Sequence, residues 1–226
     1  MNVLAIAHRG DPITERENTL AAFAAAVDEG ADMIELDVRC TADGEAVVVH
    51  DETLERIWGL CKRVHDVRAD EVRALGIPDL AQALGAIPER VQVMVDFEER
   101  AVAEPALAAV LAAGALERCI FAGECFDGHR AIRDRAPEAR IACTWTSDAP
   151  ITNALLDELG AEYWNPSGHV LARDPEQIER MHARGTLVSV WTIDRREDMQ
   201  LAVEAGVDAV ITNRVAVLID LLERVC

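Results

Sequence analysis

Lysine is almost absent from this chain of 226 residues: Lys62 stands alone, and every other basic side chain is arginine. A GC-rich codon bias accounts for that without any functional cause. Aromatics are also scarce, at 4% of residues, so a core must be built from Ala, Val, Leu and Ile. Basic charge as a whole is short, with 22 Lys and Arg against 41 Asp and Glu, a formal net charge of −19. Such a surface repels nucleic acid and anionic membranes, and both are set aside as partners. The six cysteines form no CxxC pair and no dense framework, which reads as reduced thiols. No apolar run is long enough to span a bilayer, and Met1 leads into Val3–Ala7 without a basic leader. The expectation is a cytoplasmic protein without stable membrane insertion. Neither GxGxxG nor GxxxxGK[ST] follows any apolar run, which argues against a nucleotide fold.

What is present is a rhythm. Short apolar runs at residues 3–7, 33–38, 46–49, 91–97, 118–121, 140–143, 162–165, 186–190 and 208–211 read as strands. The stretches between them carry helical spacing, as in Leu20, Phe23, Ala24 and Val27 before Gly30. Repeated β–α alternation with short connections implies a parallel sheet covered by helices. About eight such units in this length favour closure into a (β/α)8 TIM barrel, a single domain over residues 1–226. With no linker or low-complexity segment, one domain is the expectation.

Polar groups gather where those runs end, the edge at which parallel barrels carry their chemistry. His8-Arg9-Gly10 leaves the first run, and His50-Asp51 leaves the one at 46–49. Glu35 and Asp37 lie two apart and so share a strand face, as do Asp96 and Glu98. Inward carboxylates lose hydration and repel one another, so the set calls for a cation. Oxygen ligands favour a hard divalent ion, Mg2+ or Ca2+. Two histidines beside such an ion suit acid and base roles, and the Arg9 fork matches phosphate oxygens. The set points to hydrolysis of a small phosphoester.

The order of these motifs resembles the glycerophosphodiester phosphodiesterase family. The matching stretches are His8-Arg9-Gly10, Glu17-Asn18-Thr19-Leu20 and Gly30-Ala31-Asp32-Met33-Ile34-Glu35-Leu36-Asp37-Val38. To these add Thr41-Ala42-Asp43-Gly44, Val48-Val49-His50-Asp51 with Leu54 and Arg56, Val190-Trp191-Thr192-Ile193-Asp194, and Gly206 through Asn213. The resemblance implies metal-dependent hydrolysis of glycerophosphodiesters to glycerol 3-phosphate and an alcohol. It implies metal on Glu35 and Asp37 with Asp96 as third ligand, acid–base catalysis by His8 and His50, and substrate contacts from Arg9, Trp191 and Asn213. Asp194 and Asn213 also match polar positions of related phospholipase D enzymes, with helix or turn capping as the alternative. Glu17 and Asn18 are expected to start the first helix, the Asn18 carbonyl reaching the site. His65, His129, His169 and His182 match no motif and are expected at the surface.

Three departures stand out. Arg16 occupies a usual proline position, and only about forty residues, Glu52–Arg90, separate the His-Asp motif from the next strand, which implies an open site. Glu98 stands where the family offers lysine to the phosphate. Either Glu98 opposes the phosphate, with Arg39 or Lys62 compensating, or it adds a metal ligand, or a shifted register turns it outward. The alternative functions are phospholipase D-like headgroup hydrolysis and a weakened barrel that binds a phosphorylated ligand without turnover.

Overall fold

The computed structural model describes residues 3–225. Nine strands are present among the described residues: β1 Leu4–His8, β2 Met33–Cys40, β3 Ala46–Val48, β4 Gln92–Asp96, β5 Cys119–Ala122, β6 Arg140–Trp145, β7 Tyr163–Pro166, β8 Leu187–Val190 and β9 Ala209–Thr212. Eight of them, all but β3, run parallel in the order β1-β9-β8-β7-β6-β5-β4-β2, and pairing of β2 with β1 closes the (β/α)8 barrel. The expected 46–49 run is therefore no barrel wall. It is β3, an antiparallel arm on β2 entered through the Asp43-Gly44 turn, and it delivers His50 to the rim from outside the ring.

Among the described residues are eleven α-helices: α1 Leu20–Asp28, α2 Glu55–Trp58, α3 Ala69–Ala74, α4 Leu80–Ala86, α5 Arg100–Ala112, α6 Phe126–Arg135, α7 Asn153–Leu159, α8 Gly168–Arg173, α9 Gln177–Ala183, α10 Arg196–Ala205 and α11 Val215–Val225. Helix α1 starts at Leu20, past the expected Glu17 and Asn18, with Thr19 as its N-cap accepting a hydrogen bond from the Ala22 amide. Helix α4 begins with a capping box between Asp79 and Gln82. None of the described helices is long and apolar enough to cross a membrane.

Strand alternation divides the core in two. Ile6, Met33, Met94, Ile120, Ala142, Tyr163 and Ile211 point inward and fill the barrel. Their neighbours, such as Ile34, Val93, Phe121, Ile141, Trp164 and Val210, pack outward against the helices. The inward set continues at the C-terminal ends with polar residues, and register aligns them. His8 is level with Glu35, and Asp37 with Asp96. Gly10 is needed just beyond β1. Its φ is +81°, and an added Cβ would lie 2.6 Å from the Ala22 carbonyl carbon.

Candidate active site

A cavity of about 350 Å³ opens at this rim, and His8, Arg9, Glu35, Asp37, His50, Asp96 and Trp191 all line it. Seven of the eight residues picked out from sequence are thus brought together. Asn213 is not among the lining residues. Its amide is consumed behind His8. Asn213 Nδ2 donates to Asp194 Oδ2 at 2.8 Å, which turns Oδ1 toward His8 Nδ1, also at 2.8 Å. The Asp194 carboxylate only accepts, so the amide cannot flip without loss, and His8 Nδ1 must be the donor. His8 Nε2 is left with its lone pair, 4.0 Å from Glu35. Burial, and then the Arg9 charge, lower the His8 pKa from its usual value, so the ring is neutral near pH 7.

His50 is held by the same logic. Its Nδ1 donates to Asp51 Oδ1 at 2.7 Å, which frees Nε2. Hydrogen bonds from Arg56 pull Asp51 down to about 2, so it is an anion throughout the working range. Arg56 also grips Glu17 through two bonds of 2.7 and 3.1 Å, and Glu17 accepts from Arg9 at 3.0 Å. One chain of contacts, His50–Asp51–Arg56–Glu17–Arg9, therefore ties the β3 arm to the loop after β1. Arg9 Nε then lies 3.1 Å from Asp37 Oδ2, an ion pair off the hydrogen-bonding line. Both Arg9 and Asn18 have positive φ, at 60° and 57°. The turn aims the Asn18 side chain at Asp37: Nδ2 donates to Asp37 Oδ2 at 2.7 Å, and the side-chain carbonyl Oδ1 accepts from the Asp37 amide at 3.3 Å.

The carboxylates are short of positive charge. Burial, then Asp37 and Asp96, push Glu35 well above the usual range. Burial, then Asp37 and Glu98, push Asp96 up to about 8. Five acids line the cavity (Glu35, Asp37, Asp96, Glu98 and Glu124) against one arginine. Buried oxygen donors raised by mutual repulsion are the donor chemistry that suits a hard divalent cation. Among the described residues, however, no three His, Cys, Asp or Glu side chains are drawn together as a bound ion would hold them. The three carboxylates stand on one rim without closing on a common point.

Glu98 lies past the end of β4 and has left the strand's alternation. Its side chain is 65% exposed and pairs with Arg39 at 3.2 Å, while it still lines the cavity mouth. Arg39 also binds Glu99 at 2.5 Å and the His50 carbonyl at 2.5 Å. Arg39 is thus the partner of Glu98. Lys62 is not, since it pairs with Glu71 on the surface.

Sequence reading missed the far side of the cavity, where Gly123, Glu124, Thr144, Thr146 and Asn165 complete the lining. Thr144 and Asn165, isolated neutral residues in apolar strands, give no chemical pattern. The available signal is that polar groups in a two-sided buried strand must be satisfied. His129 was expected at the surface and is instead fully buried, edge-on to Phe97 at 5.2 Å.

The closed barrel with an imidazole–carboxylate rim at the C-terminal ends of its strands places this protein among the (β/α)8 barrels that carry a polar cavity at that edge. The model of the glycerophosphoryl diester phosphodiesterase family matches residues 8–217. The chain belongs to that family. It is 30% identical to a glycerophosphodiester phosphodiesterase of Caldanaerobacter subterraneus subsp. tengcongensis, over 99% of each chain. It is 31% identical to a probable glycerophosphodiester phosphodiesterase 2 of Mycobacterium tuberculosis, over 97% of this chain and 90% of the relative. Among solved structures, a glycerophosphodiester phosphodiesterase of Parabacteroides distasonis superposes with a TM-score of 0.87 at 22% identity, covering 99% of this chain and 98% of the other. An Oleispira antarctica phosphodiesterase in complex with the product sn-glycerol-3-phosphate gives 0.86 at 20% identity, with 96% of each covered.

Proposed function

We propose that this chain hydrolyses glycerophosphodiesters to glycerol 3-phosphate and an alcohol, with a divalent metal ion and with His8 and His50 as the proton-transfer pair. The observation that carries the reading is that both imidazoles have Nδ1 tied back by a hydrogen bond and Nε2 free, on the wall of one cavity that also holds three carboxylates. Two free Nε2 atoms around one phosphorus suit removal of a proton on one side and its return on the other.

The lowered pKa of His8 fits it as the base: neutral at pH 7, it accepts a proton at Nε2 from the water that attacks phosphorus as the bond to the departing alcohol breaks. His50 is more exposed, and in its doubly protonated form, with Nδ1 held by the Asp51 carboxylate, it is suited to give its Nε2 proton to the departing alcohol oxygen. Arg9 Nη2 makes no hydrogen bond among the described residues and is available to a phosphate oxygen, while Glu17 and Asp37 fix the rest of its fork. Glu35, Asp37 and Asp96 are the residues to hold the ion, most simply Mg2+ or Ca2+, which would offset their repulsion and supply charge neutralisation to the phosphate. Trp191 lines the cavity, and its Nε1 donates to the Asn165 carbonyl at 3.0 Å.

Incubation of the purified protein with glycerophosphocholine and Mg2+ tests this reading. Release of glycerol 3-phosphate and choline is the expected result. Release of phosphocholine and glycerol, or no release with any divalent metal, contradicts it.

A further inference from the structure

The side of the cavity opposite the histidines is built by hydrogen-bond bookkeeping that ends on an unspent donor. Ser189 on β8 is fully buried, and its hydroxyl has one partner, Asn165 Oδ1 on β7, at 2.8 Å. A buried hydroxyl proton left without an acceptor is costly, so Ser189 must donate there. That fixes the Asn165 amide and turns Nδ2 toward Thr144 on β6, whose Oγ1 it meets at 3.2 Å. The Gly123 amide, just beyond β5, donates to the same oxygen at 3.0 Å. Thr144 Oγ1 now accepts twice, which uses both of its lone pairs. Its own O–H must be donated, and no acceptor for it occurs among the described residues. Thr144 and Asn165 are 6% and 2% exposed, and the open space both line is the cavity. The second N–H of Asn165 is in the same position. Gly123 is held to its residue type here, because an added Cβ would lie 2.1 Å from the Phe97 carbonyl oxygen.

This floor lies across the barrel from His8, Glu35 and Asp37, three strands away in either direction around the ring. Beside it, Glu124 accepts from the Thr146 amide and hydroxyl through Oε1, leaving Oε2 without a hydrogen bond among the described residues. Two buried neutral donors and a nearby carboxylate acceptor suit a group that both accepts and donates, as an alcohol does. A trialkylammonium has no lone pair to meet the two donors and would leave both unpaired, with only the carboxylate to draw it. Met94 and Ile211 offer apolar surface to the carbons between.

We propose that Thr144 and Asn165 bind the terminal hydroxyl of the substrate's glycerol and are specificity-determining residues for that end of the molecule. The glycerol then lies on the closed floor, and the variable alcohol points to the open mouth beside Glu98. The orientation rests on the phosphodiesterase reading above, but binding tests it without turnover.

The experiment compares glycerophosphocholine with the analogue that has no terminal glycerol hydroxyl, in wild type and in Thr144→Val. Wild type should lose about tenfold in kcat/KM on the analogue, carried mainly by KM, because the floor's donors are left unpaired. Thr144→Val should lose a similar factor on glycerophosphocholine and nothing further on the analogue, with Thr144→Ser restoring the discrimination. Equal wild-type rates on the two substrates would overturn the proposal even if Thr144→Val does not fold. Losses that simply add would also overturn it, since Thr144 would then be acting elsewhere, for example on phosphate. Calorimetry with glycerol 3-phosphate against propane-1,2-diol 1-phosphate separates the two readings. A tenfold preference for the former without catalysis would support the floor and sink hydrolysis, whereas equal affinities would sink the floor alone.

Discussion

His129 should make the protein lose stability in mild acid. The ring is fully buried on α6, against Phe97 and Phe126, and neither nitrogen has a hydrogen-bond partner. Burial lowers its pKa from 6.5 to about 4, opposed only weakly by the nearby Ala122 carbonyl, which makes no hydrogen bond with it. The unfolded chain therefore takes up a proton below about pH 6.5 that the folded chain refuses until about pH 4. Stability is complete above that window and falls as pH drops through it. A gap of roughly 2.5 units at 1.36 kcal/mol each gives about 3 kcal/mol. In a chain of this size that corresponds to roughly 6–12 °C in Tm. Raised carboxylates such as Asp96 pull in the opposite direction, so the clean quantity is a difference between two proteins. His129→Leu cannot take up the proton and keeps an apolar side chain in the site. Urea melts of both proteins from pH 7.5 to pH 4 should show wild type losing about 3 kcal/mol relative to the variant. Parallel curves across that range would refute the reasoning.

His8→Ala and His50→Ala should each lower kcat by at least ~100-fold with the fold intact by circular dichroism; a loss below tenfold in both would make them structural. Asn213→Ala should free the His8 ring to rotate and change tautomer, lowering kcat ~10- to 100-fold while KM stays within about twofold. A change confined to KM would instead mean that Asn213 meets substrate. Glu98→Lys removes an anion from a mouth already crowded with acids, and kcat/KM should rise roughly tenfold. A fall in activity together with metal affinity would mark Glu98 as a ligand after all.

The barrel was legible because its strands are buried on both faces and its helices on one, so the period changes at every crossing. Expected limits such as 91–97 for β4 came within one residue of Gln92–Asp96. The arm β3 was legible as a short strand after Asp43-Gly44, but its place outside the ring was not, because nine runs leave open which eight close the barrel. The carboxylate pairs were legible because a spacing of two survives folding as a shared face. The direction of Asn213 was not, because it follows β9, where that spacing no longer fixes which way a side chain turns. Nor was the Ser189–Asn165–Thr144 chain, whose members sit on three strands and mean nothing singly. His129 misled because a histidine without a motif looks soluble, and only the packing of α6 on Phe97 reveals a core position.

The most direct test of the account is turnover of glycerophosphocholine by protein stripped with excess EDTA, then titrated with Mg2+, Mn2+ or Ca2+, with glycerol 3-phosphate as the measured product. The carboxylates Glu35, Asp37 and Asp96 repel one another without a cation, so the stripped protein should be inactive and one of these ions should restore product formation. Undiminished release of glycerol 3-phosphate in excess EDTA would contradict the account at its centre.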